Sequence, residues 1–178
     1  MRLVLAEDNA LLRAGLIQLL DTSGFEIVHA VDNAVELDAA LADRGLDGAV
    51  RALALDMAVP VDVAGGLTGS PPLPIESAVY FAVAECLANS AKHALHTHAW
   101  VELSHGDGLL RVVLGDDGHG GADVDAGTGM KGVMRRLAAF DGTMSVSSPD
   151  GGPTIVILEV PCALASSSPR TVPSSASA

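Results

Sequence analysis

The run HAWVELSHGDGLLRVVLG (His98 to Gly115) leaves a chain little freedom. Two strand-like segments flank Gly-Asp-Gly, and an Asp-Gly pair supplies the backbone angles that a tight hairpin turn needs. A second hairpin follows, with GTMSVSS and PTIVILEVP joined by PDGG (Pro149 to Gly152). Between the hairpins a glycine-rich segment, Gly115 to Gly132, leads into a helix through Val133, Leu137 and Phe140. Ahead of the first hairpin, a long helix is expected from about Ile75 to Ala94.

The beginning of the chain has another rhythm. RLVLA (Arg2 to Ala6) is a short buried-strand pattern, and Leu11, Leu12, Leu16, Leu19 and Leu20 then recur at helical spacing up to Gly24. FEIVHAV is a second strand, and Asp32 or Asn33 caps a helix through Val35, Leu37 and Leu41 toward Gly45. Residues 1–44 thus read as a βαβα unit, the start of a doubly wound parallel sheet. Leu46, Val50 and Leu53 restore helical spacing, VPVDV is a short strand, and AGGLTGSPPLP (Ala64 to Pro74) is a loop. From Ala163 the sequence turns Ser/Ala/Pro-rich, so residues 163–178 are expected to be a disordered tail.

Composition narrows the function. The hydrophobic fraction is 49% but the aromatic fraction only 3%, so the core must be built from Ala, Val and Leu. A net charge of -12 argues against nucleic-acid binding, which needs basic stripes. A nucleotide pocket stays open, because backbone amides and a metal ion can neutralise phosphate. Cys86 and Cys162 form no metal or disulfide pattern. Glu7 and Asp8 fall where a signal peptide needs an apolar run, and no run approaches the ~20 residues of a membrane span. A cytoplasmic protein is expected.

The long helix carries a chemical peculiarity. A helix advances ~100° per residue, so Glu85, Asn89, Lys92 and His93 fall in one stripe. Asn89 offers a hard amide oxygen suited to Mg²⁺. Glu85 can orient or deprotonate a nucleophile, and Lys92 or His93 can meet phosphate oxygens. A solvated helix face would look the same if it stood alone. It does not stand alone. LGDDGHGG places Asp116 directly after an apolar strand, followed by Gly118 and Gly120. GTGMKG then sets Gly127, Gly129 and Gly132 at the mouth of a helix, where free N–H groups favour phosphate.

In this order the segments resemble the ATP-binding domain of the GHKL superfamily, and within it that of two-component sensor histidine kinases. The resemblance spans Gly45 to Cys162, about two thirds of the chain. ECLANSAKHA is similar to the N box. The resemblance implies that Asn89 binds Mg²⁺, that Glu85 polarises the acceptor histidine, and that Lys92 and His93 lie near the phosphates. DDGHG is similar to the G1 box, which implies that Asp116 accepts the adenine amine while Gly118 and Gly120 shape the pocket. GTGMKG is similar to the G2 box, so Gly127, Thr128, Gly129, Met130 and Gly132 would close over the phosphates. Met130 stands where Leu is more usual, and Thr154 where the family has a Thr supporting the adenine-binding acid. The short lid between Gly121 and Gly127 and the lead-in GLDGAVRALALDMAVPV are most similar to the nitrate-sensor and desaturase-regulator kinases. The implied fold is α/β: a mixed sheet with helices on one face, and Mg-ATP between helices and lid.

Such kinases carry a helical hairpin with the phosphorylated histidine, and none is recognised here. The six histidines (His29, His93, His96, His98, His105 and His119) sit in no phosphoacceptor box. Self-phosphorylation is therefore not expected, and the partner would be a separate phosphoacceptor protein or response regulator. RLVLAEDNALLRAGLIQLL resembles the start of a response-regulator receiver domain of the LuxR-associated kind, with Glu7 and Asp8 as its metal-binding acids. Asp56 in LALDMAVP fits either a receiver phosphoacceptor at a strand end or the kinase lead-in helix, and Arg51 with the Leu46, Val50, Leu53 spacing favours the helix. Half a receiver exposes an edge strand. The segment is expected to dock on the ATP domain or to pair with a second copy. Two other functions compete: a non-catalytic partner-binding module, and a GHKL serine kinase of the anti-sigma type. DNA binding is disfavoured, since no helix-turn-helix follows.

Overall fold

The structure is a computed structural model that describes residues 2–6, 26–31, 34–93, 97–122 and 128–166. Side chains are described from Leu41 onward, apart from those of His93, Thr128 and Ser166. Glu7, Asp8, the Leu11–Leu20 helix, Gly127 and the tail beyond Ser166 lie outside the described residues.

The expected hairpin forms, with strands β5 (Ala99–Gly106) and β6 (Leu109–Asp116) paired antiparallel. Asp107 and Gly108 both have positive φ, 53° and 74°, which is the mirror-image turn that matches strand twist. The second hairpin, β7 (Thr143–Ser147) and β8 (Thr154–Pro161), adds its long strand to β6. The other side of β5 takes β3 (Val61–Gly65), and this pairing is parallel. The result is a five-stranded mixed sheet in the order β3-β5-β6-β8-β7.

Pleating gives the sheet one apolar face. Ala99, Val101 and Leu103 alternate with Trp100, Glu102 and Ser104 along β5, and the first set is buried. Leu110, Val112 and Leu114 on β6 and Val156, Leu158 and Val160 on β8 continue that buried face. Among the described residues, three helices cover it. They are α1 (Ala34–Leu55), α2 (Leu73–His93) and α3 (Thr128–Ala138). α2 buries Ile75, Val79, Ala82, Val83, Cys86 and Leu87 at three- and four-residue spacing, while α3 is anchored by Val133 and Leu137. Each fully buried Leu or Val contributes roughly 1.5–3 kcal/mol over exposure, and Tyr80, Phe81 and Phe140 pack only at the margin of this aliphatic core.

α1 is two helices meeting at Gly45, whose φ of 68° and ψ of 174° are not helical. Glycine tolerates that conformation, and the second half restarts at once. Leu41, ahead of the kink, and Leu46, Ala49 and Val50, beyond it, share one core. Arg51 reaches from α1 to the sheet edge, donating from Nη1 to the Val63 carbonyl at 2.8 Å and from Nη2 to the Gly65 carbonyl at 3.1 Å. It thereby occupies acceptors on β3 that an intruding strand would need.

Of the two readings of LALDMAVP, the structure shows the helical one that Arg51 and the Leu46, Val50, Leu53 spacing favour: helix α1 continues to Leu55, and Asp56 is exposed in the following turn. The strand end that a receiver phosphoacceptor requires is absent there. One feature differs from the expectation: Ala165–Ser166, within the expected tail, form strand β9, which pairs antiparallel with β4 (Gly69–Ser70), inside the expected loop. Gly69 allows this approach, since a Cβ there would strike the Ala165 carbonyl oxygen. At the start of the chain, β1 (Arg2–Ala6) and β2 (Glu26–Val31) pair parallel as a separate two-stranded sheet.

Candidate functional site

The candidate site lies where the C-terminal end of β6 meets the second half of α2. Alternation along β6 turns Asp116 to the helix side, where it is only 4% exposed. A buried carboxylate needs donors. Ser90 of α2 donates its hydroxyl to Oδ2 at 2.9 Å, and the Gly118 N–H donates to Oδ1 at 3.0 Å. The second bond closes a tight turn immediately after the strand.

Glu85 and Asn89 lie one helical turn apart and one residue ahead of Ser90's line. Asn89 Nδ2 donates to Glu85 Oε1 at 3.4 Å, a long bond that leaves the amide oxygen of Asn89 free of this contact. Opposite stands the first turn of α3. A Cβ on Gly129 would collide with Glu85 Oε1 and lie 3.0 Å from its Cδ. Glycine at 129 therefore lets the start of α3 close on the acid. Met130 is half-buried and packs against the core. Farther along α3, Arg136 sits 4.7 Å over the Phe81 ring and ties the two helices together. Glu85, Asn89 and Gly129 thus meet, and Ser90, the residue after Asn89, links α2 to Asp116 and Gly118. Lys92 is exposed in the last turn of α2, and Gly132 has open space where a Cβ would be.

The loop after Asp116 is stapled to the β7–β8 turn. Gly121 N–H donates to the Ser148 carbonyl at 3.1 Å, Ala122 N–H to Ser148 Oγ at 3.0 Å, and Gly151 N–H to the His119 carbonyl at 2.7 Å. Gly120 has φ of 64°, and any side chain there would meet the Pro149 carbonyl. Its glycine therefore serves loop geometry. Thr154 stands opposite Asp116 in the β6–β8 register, but its hydroxyl bonds Ser148 Oγ at 2.8 Å. The side-chain hydroxyl found on the acid is that of Ser90.

Asp117 points the other way and fastens the entry to β5. Its Oδ1 accepts from the N–H groups of Thr97 and His98 at 2.8 and 2.9 Å, and its Oδ2 from the Thr97 hydroxyl at 2.7 Å. These donors, the Thr97 hydroxyl first, lower its carboxyl to about 2. Cys86, beside Glu85, is pushed up to about 12 by burial and then by that neighbouring charge, so it is a packed, unreactive thiol. Ser90, Ser148 and Asp117 were not singled out from sequence. Ser90 had a signal, its place right after Asn89, whereas Ser148 and Asp117 acquire partners only through strand register.

Among the described residues, no group of three or more His, Cys, Asp or Glu side chains could hold a metal ion by itself. An amide oxygen such as that of Asn89 is a hard donor of the kind that suits Mg²⁺. No helix among the described residues is long and apolar enough to cross a membrane. A cavity of about 320 Å³ lies at the other end of α2, lined by Pro71, Pro72, Leu73, Glu76 and Ala165 among others, away from the glycine loops.

Comparison with known proteins agrees with this architecture. The fold is that of the ATP-binding domain of histidine kinases. The histidine kinase domain of the Erythrobacter litoralis EL346 blue-light-activated histidine kinase superposes with a TM-score of 0.54 at 23% identity, covering 70% of this chain and 64% of that one. The ATP-binding domain of PrrB from Mycobacterium tuberculosis gives 0.52 at 22% identity, covering 66% and 91%. In sequence, the chain is similar to the sensor histidine kinase YvfT of Bacillus subtilis, 33% identical over 78 residues, or 43% of this chain and 20% of that protein. It is 26% identical over 129 residues to the sensor histidine kinase MctS of Rhizobium johnstonii, covering 66% of this chain and 28% of that protein. The chain thus spans between a fifth and about a quarter of the length of these relatives. No family model matches it.

Proposed function

We propose that this chain binds Mg-ATP and serves as the catalytic domain of a two-component histidine kinase. The observation that carries the reading is Asp116: a carboxylate 4% exposed, held by two donors at a strand end, in this fold. An ionised carboxylate is acceptor-only, so it suits the exocyclic amine of adenine. Asn89 would ligate Mg²⁺ through its amide oxygen. Lys92, His93 and the Gly127–Gly132 segment would meet the phosphates, where the start of α3 favours negative charge. Glu85 would hold or accept the proton of an incoming histidine nucleophile. Bound Mg²⁺ would supply charge neutralisation on the transferring phosphoryl group, and the chain's own contribution is positioning. The acceptor is a histidine on a phosphoacceptor domain or protein, with a response regulator downstream, and the setting is cytoplasmic. Residues 1–44 are proposed to derive from a receiver domain carrying the Glu7–Asp8 pair. The parallel β1–β2 pair followed by α1 supports this, and the segment offers an edge for a partner or second copy.

Calorimetric titration with ATP, with and without Mg²⁺, tests the reading on the natural chain and on Asp116→Asn. Mg-dependent binding is expected, weakened at least tenfold by the substitution, because a hydrogen bond to a charged group is worth about 1.5–3 kcal/mol. Absence of binding at millimolar ATP would overturn it, as would equal affinity in the variant.

A further inference from the structure

We infer that Ser90 is a specificity-determining residue of the nucleotide pocket: it pins the Asp116 carboxylate so that the site selects 6-amino purines over 6-oxo purines. The inference rests on the ATP-binding reading and deepens it.

Asp116 is nearly excluded from water, so solvent does not set the direction of its carboxylate. Two hydrogen bonds do. The Gly118 N–H on Oδ1 belongs to the acid's own turn and moves with it. The Ser90 hydroxyl on Oδ2 comes from α2, a helix fixed on the sheet by Ala82, Val83, Cys86 and Leu87. Ser90 is therefore the reference point outside the loop. Thr154, facing Asp116 across the strands, has its hydroxyl bonded to Ser148 instead.

The chemistry follows from donor and acceptor counts. A serine hydroxyl has one proton, and here it is directed to Oδ2. A pinned carboxylate presents lone pairs in fixed directions. An exocyclic amine at purine C6 donates to them, whereas a carbonyl at the same position sets acceptor against acceptor. A carboxylate free to swing can escape that repulsion by turning to the N1–H that a 6-oxo purine carries. Removing the Ser90 hydroxyl should thus weaken ATP and relax rejection of 6-oxo nucleotides together. Discrimination of this kind depends on repulsion as much as on attraction.

The test is calorimetric titration of the full chain with ATP and with inosine triphosphate, both with Mg²⁺. It compares the natural chain, Ser90→Ala and Ser90→Cys, and thermal melting of each checks folding. The natural chain should prefer ATP. Ser90→Ala should lose about tenfold in ATP affinity, the size of one hydrogen bond to a charged group, with little loss for inosine triphosphate, so that the preference falls by about tenfold. Ser90→Cys, similar in shape with a weak donor, should fall between, and it carries the test if the alanine variant does not fold. Equal loss on both nucleotides would mark Ser90 as a packing residue and overturn the inference. So would an unchanged ATP affinity while Asp116→Asn loses binding, which leaves the ATP reading standing. A natural chain that binds neither nucleotide would sink both.

Discussion

Gly115→Ala is a one-methyl perturbation whose consequence can be worked through. Gly115 lies on the open face of the sheet, directly across from Trp100 in the β5–β6 register. A Cβ at 115 would run into Cε2 and Cζ2 of the indole and stand 2.9 Å from Cη2. The ring must move. It stacks on His98 with centroids 6.2 Å apart, and His98 Nε2 lies 3.0 Å from Asp62 Oδ2, so the displacement should disturb that whole corner. Overpacking in a closed core costs about 1–3 kcal/mol. On an open face the ring can swing toward solvent, which places the cost at the low end. Replacing Gly by Ala also restrains the unfolded chain, a gain of about 0.4–1 kcal/mol that offsets part of the loss. The net expectation is a destabilisation of about 0.5 kcal/mol, or roughly 1–2 °C in Tm for a chain of this size. Trp100 is the sole tryptophan, so its fluorescence reports both the native ring environment and unfolding in urea. The native emission should shift to longer wavelength and the urea midpoint should fall. In a Trp100→Ala background the same substitution should become neutral or stabilising. An unshifted spectrum with an unchanged midpoint, or an equal loss in both backgrounds, would refute the reasoning.

Leu137 is fully buried and anchors α3, so Leu137→Ala should lose about 2–5 kcal/mol in urea unfolding, and a loss under about 1 kcal/mol would contradict its assigned packing. Asp117 predicts a pH effect. Its folded carboxyl, at about 2, lies below the ordinary 3.8, so its stabilisation is present above about pH 4 and disappears as pH falls toward 2. Asp117→Asn should flatten the acid side of the stability profile in that window, and superimposable profiles between pH 2 and 5 would show that the clamp on Thr97 and His98 contributes nothing.

The elements that the sequence determined are those encoded by near neighbours. Asp107-Gly108 demands a turn, and the flanking strands pair at once because loop closure is short. The i, i+4 recurrence of Val79, Val83 and Leu87 demands a helix with one buried face. The order of stripe, acid loop and glycine-led helix was legible for the same reason, since each motif is local. Glu85 and Asn89 meet through helical spacing alone.

Tertiary structure decided what depends on register between distant segments. Whether Asp56 ends a strand or follows a helix was ambiguous in the letters, and packing of Leu46, Ala49 and Val50 into the common core settled it as helix. The β4–β9 pair leaves no mark in the sequence, because two-residue strands have no periodicity. That Ser90 bonds Asp116 follows from where α2 lies against β6, and the hydroxyl of Thr154 is taken instead by Ser148. A shift of one residue there would send a different side chain to the acid. Local propensity fixes which groups a segment carries, but only the packing of one apolar face on another fixes which of them meet.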